Sequence, residues 1–483
     1  MTSSQIYNYA DPVSEAIAAF TLAAPQKLSD DLAESAMLAL GDSIAVSLGA
    51  LEFPAAVYAR NYAALTPVPD GIAIWGTTMR STPDIAALVN GVLLRCYDYN
   101  DFYVGERNSG HPSDMVSGIL AAAEFAGVSG EKTLAALAVG YEGVGVAYDC
   151  FSTAPGGWDY TNLSAIGSCI GIAKVLGLDH EQTREAIGMT VVNHMATDEV
   201  ESCELNRRGD LTMWKRFNGS DAVRNALQAC MLASVGVEAA VRPFVGNQGF
   251  IQKLKNDPSF ADDAVKGFKP GAPLTVIQKA YFKPWPTGSL AQSTIRAVLE
   301  ARKKVSSLDD IKQMRVYCEE GAYEHFVTMR QDAWNPISRE TADHSMPYVA
   351  AAALFDGYIK IDSYDLDKVN DPARRSFMAN KMTVEPDAAL GRLSDGKLSR
   401  AERGYLGRVE IEMNDGSIIE GPALPFPGHP ARPFTRGELE SKLRANMDYV
   451  PTEERKAMII KRLFEFRSIA NVADFNAHLS FNR

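Results

Sequence analysis

The sequence predicts a mainly α protein, in which an all-helical domain is built from both chain ends and a smaller α+β lid domain is inserted. Three observations lead to this prediction. Apolar residues recur at three- and four-residue spacing from about residue 29 to 241. Strand-like alternation is confined to the middle of the chain, and helical spacing returns near its end. The predicted boundaries are 1–278 and 425–483 for the helical domain and 279–424 for the lid.

The first part of the chain carries a succession of helical patterns. Pro83 follows Thr82 at a first helical position, where its missing N–H costs nothing. Gly127 and Gly177 follow the last apolar residues, as is usual at helix ends. Ser113 is expected to cap the helix that begins near Met115. We predict helices at Leu32–Leu51, Pro83–Tyr97, Met115–Ala126, Glu131–Tyr148, His180–His194 and Ser220–Val235.

The pattern changes at Tyr281–Pro286, where two prolines exclude a helix. Asn414-Asp415-Gly416 is a strong hairpin signal between two alternating stretches. A segment rich in proline and glycine at 425–433 separates this domain from the last helices. We predict strands at Ile311–Cys318, Arg408–Met413 and Ser417–Glu420, and helices at Leu290–Lys303, Asp343–Phe355, Glu438–Met447 and Thr452–Ile469.

Charge and composition narrow the possible partners. The net charge of −12 argues against nucleic acid and against an anionic membrane. An anionic substrate would therefore need local cations, for which the candidates are Arg207, Arg208, Lys215, Arg216 and Lys283. The N-terminus lacks the basic head of a signal peptide, and no uncharged apolar run reaches the roughly 20 residues that span a bilayer. We expect a soluble, cytoplasmic protein.

The six cysteines lie far apart and include no Cys-x-x-Cys pair, which argues against zinc ribbons and iron–sulfur clusters. We expect free, mostly buried thiols. The chain carries no nucleotide-binding glycine motif and no convincing metal-ligand spacing. We therefore predict neither a metal nor an organic cofactor.

Residues 95–116 carry the densest chemistry. Asp98 and Asp101 lie three residues apart at a helix end, and so share one face of it. His111 stands between Gly110 and Pro112 about ten residues later. Acidic and basic groups gathered at a helix–loop–helix junction indicate proton transfer. A purely structural alternative, in which the carboxylates cap the helix or pair with nearby arginines, explains the same residues.

Several short motifs in this order resemble the MmgE/PrpD family, which includes 2-methylcitrate dehydratases, cis-aconitate decarboxylases and iminodisuccinate epimerases. The resemblance covers nearly the whole chain. It implies a helical domain with an α+β lid, action without a metal or organic cofactor, and a homodimer. The motifs are Ala86–Gly91, Asp98–Asp101, Gly110–Asp114, Gly140–Glu142, Lys215–Ala222, Phe282–Lys283, Ala342–Tyr348 and Asn414–Gly416.

The resemblance also implies site residues. The family's catalytic positions correspond to Asp98, His111, Lys215, Lys283 and Tyr348. Either Asp98 or His111 would be the base and the other its acid partner, while Tyr348 would assist proton delivery. Lys215 and Lys283, each flanked by aromatic residues, would hold substrate carboxylates.

Three further residues are candidates for substrate binding. Arg208 would add a cation to the carboxylate clamp. Asp101 is expected either in contact with the substrate or directly behind a residue that is. His344, about one helical turn before Tyr348, would orient that phenol or bind a carboxylate. The remaining histidines, including His325, are expected in packing, surface or turn positions.

Two positions depart from the family pattern. Phe102 stands where the family often has threonine, and no histidine follows the lysine–aromatic–proline turn, where the chain has Thr287–Leu290. The resulting prediction is a lyase that dehydrates a small di- or tricarboxylate, with 2-methylcitrate as the first choice. The alternatives are a decarboxylase or epimerase of a related dicarboxylate, and a carboxylate-binding homologue without catalysis.

Overall fold

The computed structural model describes residues 11–200, 206–207, 211–330, 332–390 and 405–482. It is 57% helical and 8% strand, which confirms the predicted mainly α class. The first helical segments are α1 (Pro12–Ala23), α2 (Asp30–Gly49), α3 (Pro54–Ala63), α4 (Pro83–Arg95), α5 (Val116–Ala126), α6 (Gly130–Cys150), α7 (Thr161–Leu176), α8 (His180–Asn193) and α9 (Asn218–Ser234). Shorter helices follow at α10 (Phe250–Lys253), α11 (Phe260–Gly267) and α12 (Val276–Lys279).

Two small hairpins interrupt this helical part. Strand β1 (Ile72–Ala73) pairs with β2 (Arg80–Ser81), and β3 (Tyr103–Val104) pairs with β4 (Ser109–Gly110). The second hairpin is important for the site because it turns the chain from Asp101 back towards His111.

The middle of the chain forms a four-stranded sheet with helices. The strands are β5 (Ile311–Cys318), β6 (Met382–Pro386), β7 (Gly407–Met413) and β8 (Ile418–Gly421), in the order β6-β5-β7-β8. Strand β6 runs parallel to β5, and the other neighbouring pairs are antiparallel. The helices of this part are α13 (Gln292–Arg302), α14 (Glu320–Tyr323), α15 (Arg339–Ala342), α16 (Met346–Asp356), α17 (Leu366–Val369) and α18 (Pro372–Lys381).

The last helices return to the first domain. They are α19 (Arg436–Ala445), α20 (Glu453–Phe464) and α21 (Val472–Leu479). Their apolar side chains join one hydrophobic core with residues 13–282, while a second core is formed by residues 291–413. These two cores support the predicted division into a helical domain and an inserted lid.

Helices α6 and α7 pack closely because glycines line their contact. A Cβ atom on Gly167 would lie 2.6 Å from Cβ of Val144, and one on Gly140 would lie 3.1 Å from the carbonyl oxygen of Gly167. Small residues at such positions let two helix backbones approach. This pair supports the inner side of the site, since Tyr141 on α6 and the residues before α7 both reach it.

Helix α2 is long and apolar enough to cross a membrane by length and composition. Its 18-residue apolar window is 78% buried inside the protein, and Ala36, Ile44 and Ala45 have no exposed surface. It therefore has the burial of a core helix.

The predicted helices and strands that fall in described residues are present, within a few residues at each end. The prediction that Ser113 caps a helix was wrong. Its hydroxyl accepts a hydrogen bond from Asn100 at 2.9 Å, and its N–H donates to Asp101. A one-turn 3₁₀ segment, Pro112–Met115, precedes α5 instead. The patterns of α1, α3, α7, β6 and α18 were not singled out in the sequence.

Candidate active site

A cavity of about 370 Å³ lies between the helical part and the lid. Pockets for small molecules usually fall between roughly 300 and 1,000 Å³. The helical wall consists of Arg95, Asp98, Phe102, Ser109, Gly110, His111, Tyr160, Asp198 and Lys215. The lid wall consists of Gly288, Ser289, Leu290, His325, Phe326, Met329, Arg330, His344 and Tyr405.

Asp98 is at the centre of this cavity's chemistry. It follows α4 with a left-handed backbone (φ 47°), a conformation that a non-glycine residue rarely adopts and that is often found at functional sites. Burial alone would raise the pKa of its carboxyl, but the surrounding groups, Lys283 foremost, hold that pKa well below its ordinary value. The carboxylate oxygens lie 3.3 Å from Arg95, 3.3 Å from Lys283, 3.5 Å from His344 and 3.6 Å from His111.

Lys283 contacts Asp98 and does not line the cavity. The lysine has no exposed surface, and its Nζ donates to the carbonyl oxygen of Asp98 at 2.6 Å. Burial lowers the pKa of this lysine to about 8, although Asp98 opposes the shift. It is held there because Phe102 and Tyr281 pair their backbones in a β-bridge just before it. The structure thus places Lys283 behind the carboxylate and not against the space for a substrate.

His111 presents one imidazole nitrogen towards Asp98. Its Nδ1 lies 2.5 Å from the carbonyl oxygen of Asp101. Because a carbonyl can only accept, Nδ1 carries the proton, and Nε2 is the basic nitrogen. Nε2 lies 3.6 Å from Asp98 Oδ1. Burial, helped by Arg95 and Lys283, holds the pKa of this histidine well below 6.5.

Asp101 is buried behind His111 and is absent from the cavity wall. Its carboxylate accepts the N–H of Ser113 at 3.0 Å and the hydroxyl of Tyr141 at 2.7 Å. Burial raises its pKa to about 6 against these hydrogen bonds. Asp101 therefore fixes the loop whose carbonyl orients His111, and the structure does not bring it to where a substrate would lie.

His344 faces Asp98 from the lid. Its Nδ1 is hydrogen-bonded to Asp343, and its Nε2 lies 3.5 Å from Asp98 Oδ2. Burial, with Lys215 and Arg330 nearby, holds the pKa of His344 well below 6.5. Burial also raises the pKa of Asp343 to about 6. One carboxylate thus lies between an imidazole from each wall.

Tyr348 lies away from the cavity, although it belongs to the same motif as His344. Its ring is buried in the core of the lid beside Tyr364. Its hydroxyl donates to the carbonyl oxygen of Ser363 at 2.7 Å and accepts from Arg374 at 3.0 Å. The structure therefore does not bring Tyr348 together with Asp98 and His111.

Among the described residues, Arg95, Lys215 and Arg330 are the lysine and arginine side chains that line the cavity. Arg95, buried at the end of α4, donates to Asn100 at 2.8 Å besides pairing with Asp98. Lys215 is 4% exposed on the one-turn segment Met213–Arg216. Arg330 follows a π-helical turn in the lid, and no residue in the described ranges forms an ion pair with its guanidinium. Arg208, the other predicted cation, lies outside the described residues.

Within Thr287–Leu290, the segment where no lid histidine is found, Gly288 is sterically closed. A Cβ atom on Gly288 would lie 2.2 Å from Cζ of Phe326, so no larger residue fits there without movement. Besides His344, the lid wall carries the imidazole of His325, an exposed residue that the sequence had suggested was peripheral. Phe102 packs edge-on against His111, with ring centroids 5.5 Å apart, and adds no hydroxyl to the wall.

Lys442 on α19 supports the site from behind. Its buried ammonium donates to Asp42 at 2.6 Å, to the carbonyl oxygen of Lys283 at 2.8 Å and to that of Tyr99 at 3.2 Å. It thereby fixes the backbones next to Asp98 and at Lys283. Burial lowers the pKa of Lys442, while Asp42 acts to raise it.

Sequence reasoning missed Tyr160 and Arg330 as cavity residues and considered Arg95 only as a partner for an aspartate. Arg95 had the clearest signal, since it lies one helical turn before Asp98. Tyr160 and Arg330 lie in irregular segments without periodicity, and no local pattern marks them.

Fold and site together define a two-domain, mainly α protein with a buried acid–base cluster and several cations around one cavity. Comparison with models of known families identifies the family to which the chain belongs. The model of the MmgE/PrpD N-terminal domain matches residues 15–263, and that of the MmgE/PrpD C-terminal domain matches residues 285–465. The chain belongs to the MmgE/PrpD family.

Similar proteins include dehydratases and a decarboxylase. A probable 2-methylcitrate dehydratase of Saccharomyces cerevisiae is 26% identical over 479 residues, covering 93% of this chain and 89% of the yeast protein. A 2-methylcitrate dehydratase of Escherichia coli is 24% identical over 452 residues, with 88% of each chain covered. The cis-aconitate decarboxylase of Homo sapiens is 24% identical over 409 residues, covering 81% of this chain and 79% of the human protein.

Proposed function

We propose that this protein is a hydro-lyase that removes water from a small hydroxylated di- or tricarboxylate, with 2-methylcitrate as the first choice. The observation that carries the proposal is the cluster of Asp98, His111 and His344 at one cavity, with ionised Asp98 between two neutral imidazoles. Relatives named 2-methylcitrate dehydratase over most of their length support the choice of reaction.

His111 is the base in this proposal. Its Nε2 is unprotonated and borders the cavity, so it takes a proton from the carbon next to a substrate carboxylate. Asp98, 3.6 Å away, then stabilises the imidazolium that forms. Lys283 in turn keeps Asp98 ionised and fixed, which is the role that its burial supports.

Cations of the cavity wall bind the substrate's carboxylates. Lys215 and Arg95 come from the helical wall, and Arg330 comes from the lid. They offset the negative charge of a polycarboxylate and the enolate-like charge that develops when the carbon loses its proton. In a protein with net charge −12, this local arrangement supports an anionic substrate.

The test is an assay of the EDTA-treated protein with 2-methylcitrate, citrate and malate-like acids. A new conjugated double bond is followed by its ultraviolet absorbance, and the product is identified by NMR in D₂O. Formation of a double bond with loss of water is the expected result and would also establish independence from a metal. Tight binding of these acids without turnover would instead identify a carboxylate-binding homologue.

A decarboxylase of the cis-aconitate type is the second candidate. Phe102 motivates this alternative, because the wall beside His111 carries its ring where the family often has a threonine hydroxyl. The human relative carries that activity in its name. Release of carbon dioxide from cis-aconitate, with no reaction of the hydroxy acids, would select it. Exchange of a carbon-bound hydrogen in D₂O without other change would select an epimerase.

A further inference from the structure

Tyr160 and Asp114 form a pair at the edge of the cavity that the proposed roles above do not use. Tyr160 is partly exposed and lines the cavity, and its hydroxyl donates to Oδ2 of Asp114 at 3.2 Å. Its ring lies beside His111, with centroids 5.6 Å apart. A Cβ atom on Gly110 would lie 2.3 Å from Cδ2 of Tyr160, so the loop before His111 rests directly on the ring. The phenol is thereby fixed next to the base.

Asp114 is 2% exposed and lies in the 3₁₀ segment between His111 and α5. Arg95 Nε lies 3.6 Å from its other oxygen. The remaining ionisable groups around it are Asp98, Asp101 and the phenols of Tyr141, Tyr148 and Tyr160. Arg95 and the hydrogen bond from Tyr160 favour an ionised Asp114, whereas burial, Asp101 and Asp98 oppose it.

We propose that Tyr160 is the acid that protonates the departing hydroxyl, and that Asp114 behind it supplies the proton. This inference rests on the proposed dehydratase function. The sequence had suggested Asp98 or His111 as the acid, with Tyr348 assisting proton delivery, and the proposal gives this role to a phenol that borders the same cavity as His111.

The proton transfers balance. His111 takes the proton from carbon, the C–H electron pair forms the double bond, and the C–O bond breaks. The leaving oxygen takes the proton of Tyr160 and departs as water. Tyr160 takes the proton of Asp114, which becomes an anion beside Arg95. Solvent then removes the proton from His111 and returns one to Asp114, so no further reactant is needed.

The state of Asp114 decides whether Tyr160 can donate to a substrate. An ionised Asp114 accepts the phenol's hydrogen and withholds it from the cavity. A protonated Asp114 donates its own hydrogen to the phenol oxygen and frees the phenol's hydrogen for the substrate. Burial raises the pKa of Asp114 to about 7, whereas Arg95 opposes the shift. The rate of water loss should therefore fall as pH rises through about 7.

The experiment compares wild type, Tyr160→Phe and Tyr148→Phe on 2-methylcitrate and on its analogue with fluorine in place of the hydroxyl. Fluoride leaves without a proton, so its loss needs the base but not the acid. Tyr148 is the matched control, because its buried hydroxyl bonds Ser164 at 3.0 Å and it is absent from the cavity wall. Asp114→Asn is measured with wild type across pH, and thermal melting checks that each variant folds.

We expect Tyr160→Phe to slow water loss by on the order of 10² to 10⁴, and to lose fluoride at the wild-type rate. Tyr148→Phe should keep the wild-type ratio of the two rates. Asp114→Asn should lack the decline near pH 7, leaving any decline to Lys283 at about pH 8. The acid role would be overturned if Tyr160→Phe lost water at the wild-type rate. It would also be overturned if the variant slowed the loss of water and of fluoride equally. A wild-type protein that dehydrates no hydroxy acid would instead overturn the proposed function itself.

Discussion

The two walls of the cavity differ in how firmly they hold their charged groups. On the helical wall, Asp98 and His111 are buried and bonded to groups that are buried in turn. On the lid wall, His325 is exposed, and Arg330 has no ion-pair partner within the described residues. His344 is the exception, since Asp343 fixes it.

This difference indicates a division of labour. Groups that transfer protons gain from a fixed geometry, because a general base must lie within hydrogen-bond reach of the proton it takes. Groups that recognise a substrate's carboxylates can stay less constrained until the substrate arrives. We therefore expect changes at Asp98 and His111 of the helical wall to lower kcat, and a change at Arg330 of the lid wall to act chiefly on KM.

The largest effect is expected for His111→Ala. Removal of the base should lower kcat by on the order of 10² to 10⁴, with little change in the melting temperature. His429→Ala is a matched control, because that histidine also stands between glycine and proline but forms a turn, where its Nδ1 accepts the N–H of Ala431. Equal kcat values for the two variants would remove His111 from the mechanism.

A smaller effect is expected for Arg330→Met. A hydrogen bond to a charged group contributes about 1.5–3 kcal/mol, so its loss should raise KM roughly 10- to 100-fold while kcat changes little. Steady-state kinetics would measure this. Lys303→Met removes a surface lysine of the same domain that pairs with Glu300, and its KM should stay at the wild-type value. A fall in kcat alone for Arg330→Met would contradict the proposed division between the walls.

The smallest effect on catalysis is expected for Tyr348→Phe. Because its hydroxyl bonds Ser363 and Arg374 inside the lid, its loss should lower the free energy of unfolding by about 0.5–1.5 kcal/mol. The kcat should remain close to wild type. Denaturant unfolding and initial rates would measure both quantities, and a large fall in kcat at unchanged stability would return Tyr348 to the reaction.

The sequence was sufficient for the mainly α class, for most helix positions and for the pairing of Asp98 with His111. The fold class and the helix positions follow from the periodicity of apolar residues. Asp98 and His111 lie only thirteen positions apart in the chain. Lys283 was identified from the family resemblance, but its contact with Asp98 was not predicted. Whether a lysine faces a substrate or a protein carboxylate depends on tertiary packing. The same limit applies to Tyr348, because a motif does not say which way a phenol points. The clash that closes position 288 involves Phe326, 38 residues away, and only the folded chain reveals it.

Lys442 also determines when, during translation, the backbones around Asp98 can be fixed. The ammonium that fixes the backbones of Tyr99 and Lys283 belongs to a helix that the ribosome makes well after Lys283, since the two lysines are 159 residues apart. A nascent chain that already contains Asp98, His111 and Lys283 still lacks this support. The supported geometry around Asp98 therefore arises only after Lys442 has been made, and a product terminated before Lys442 would carry Asp98, His111 and Lys283 without that support.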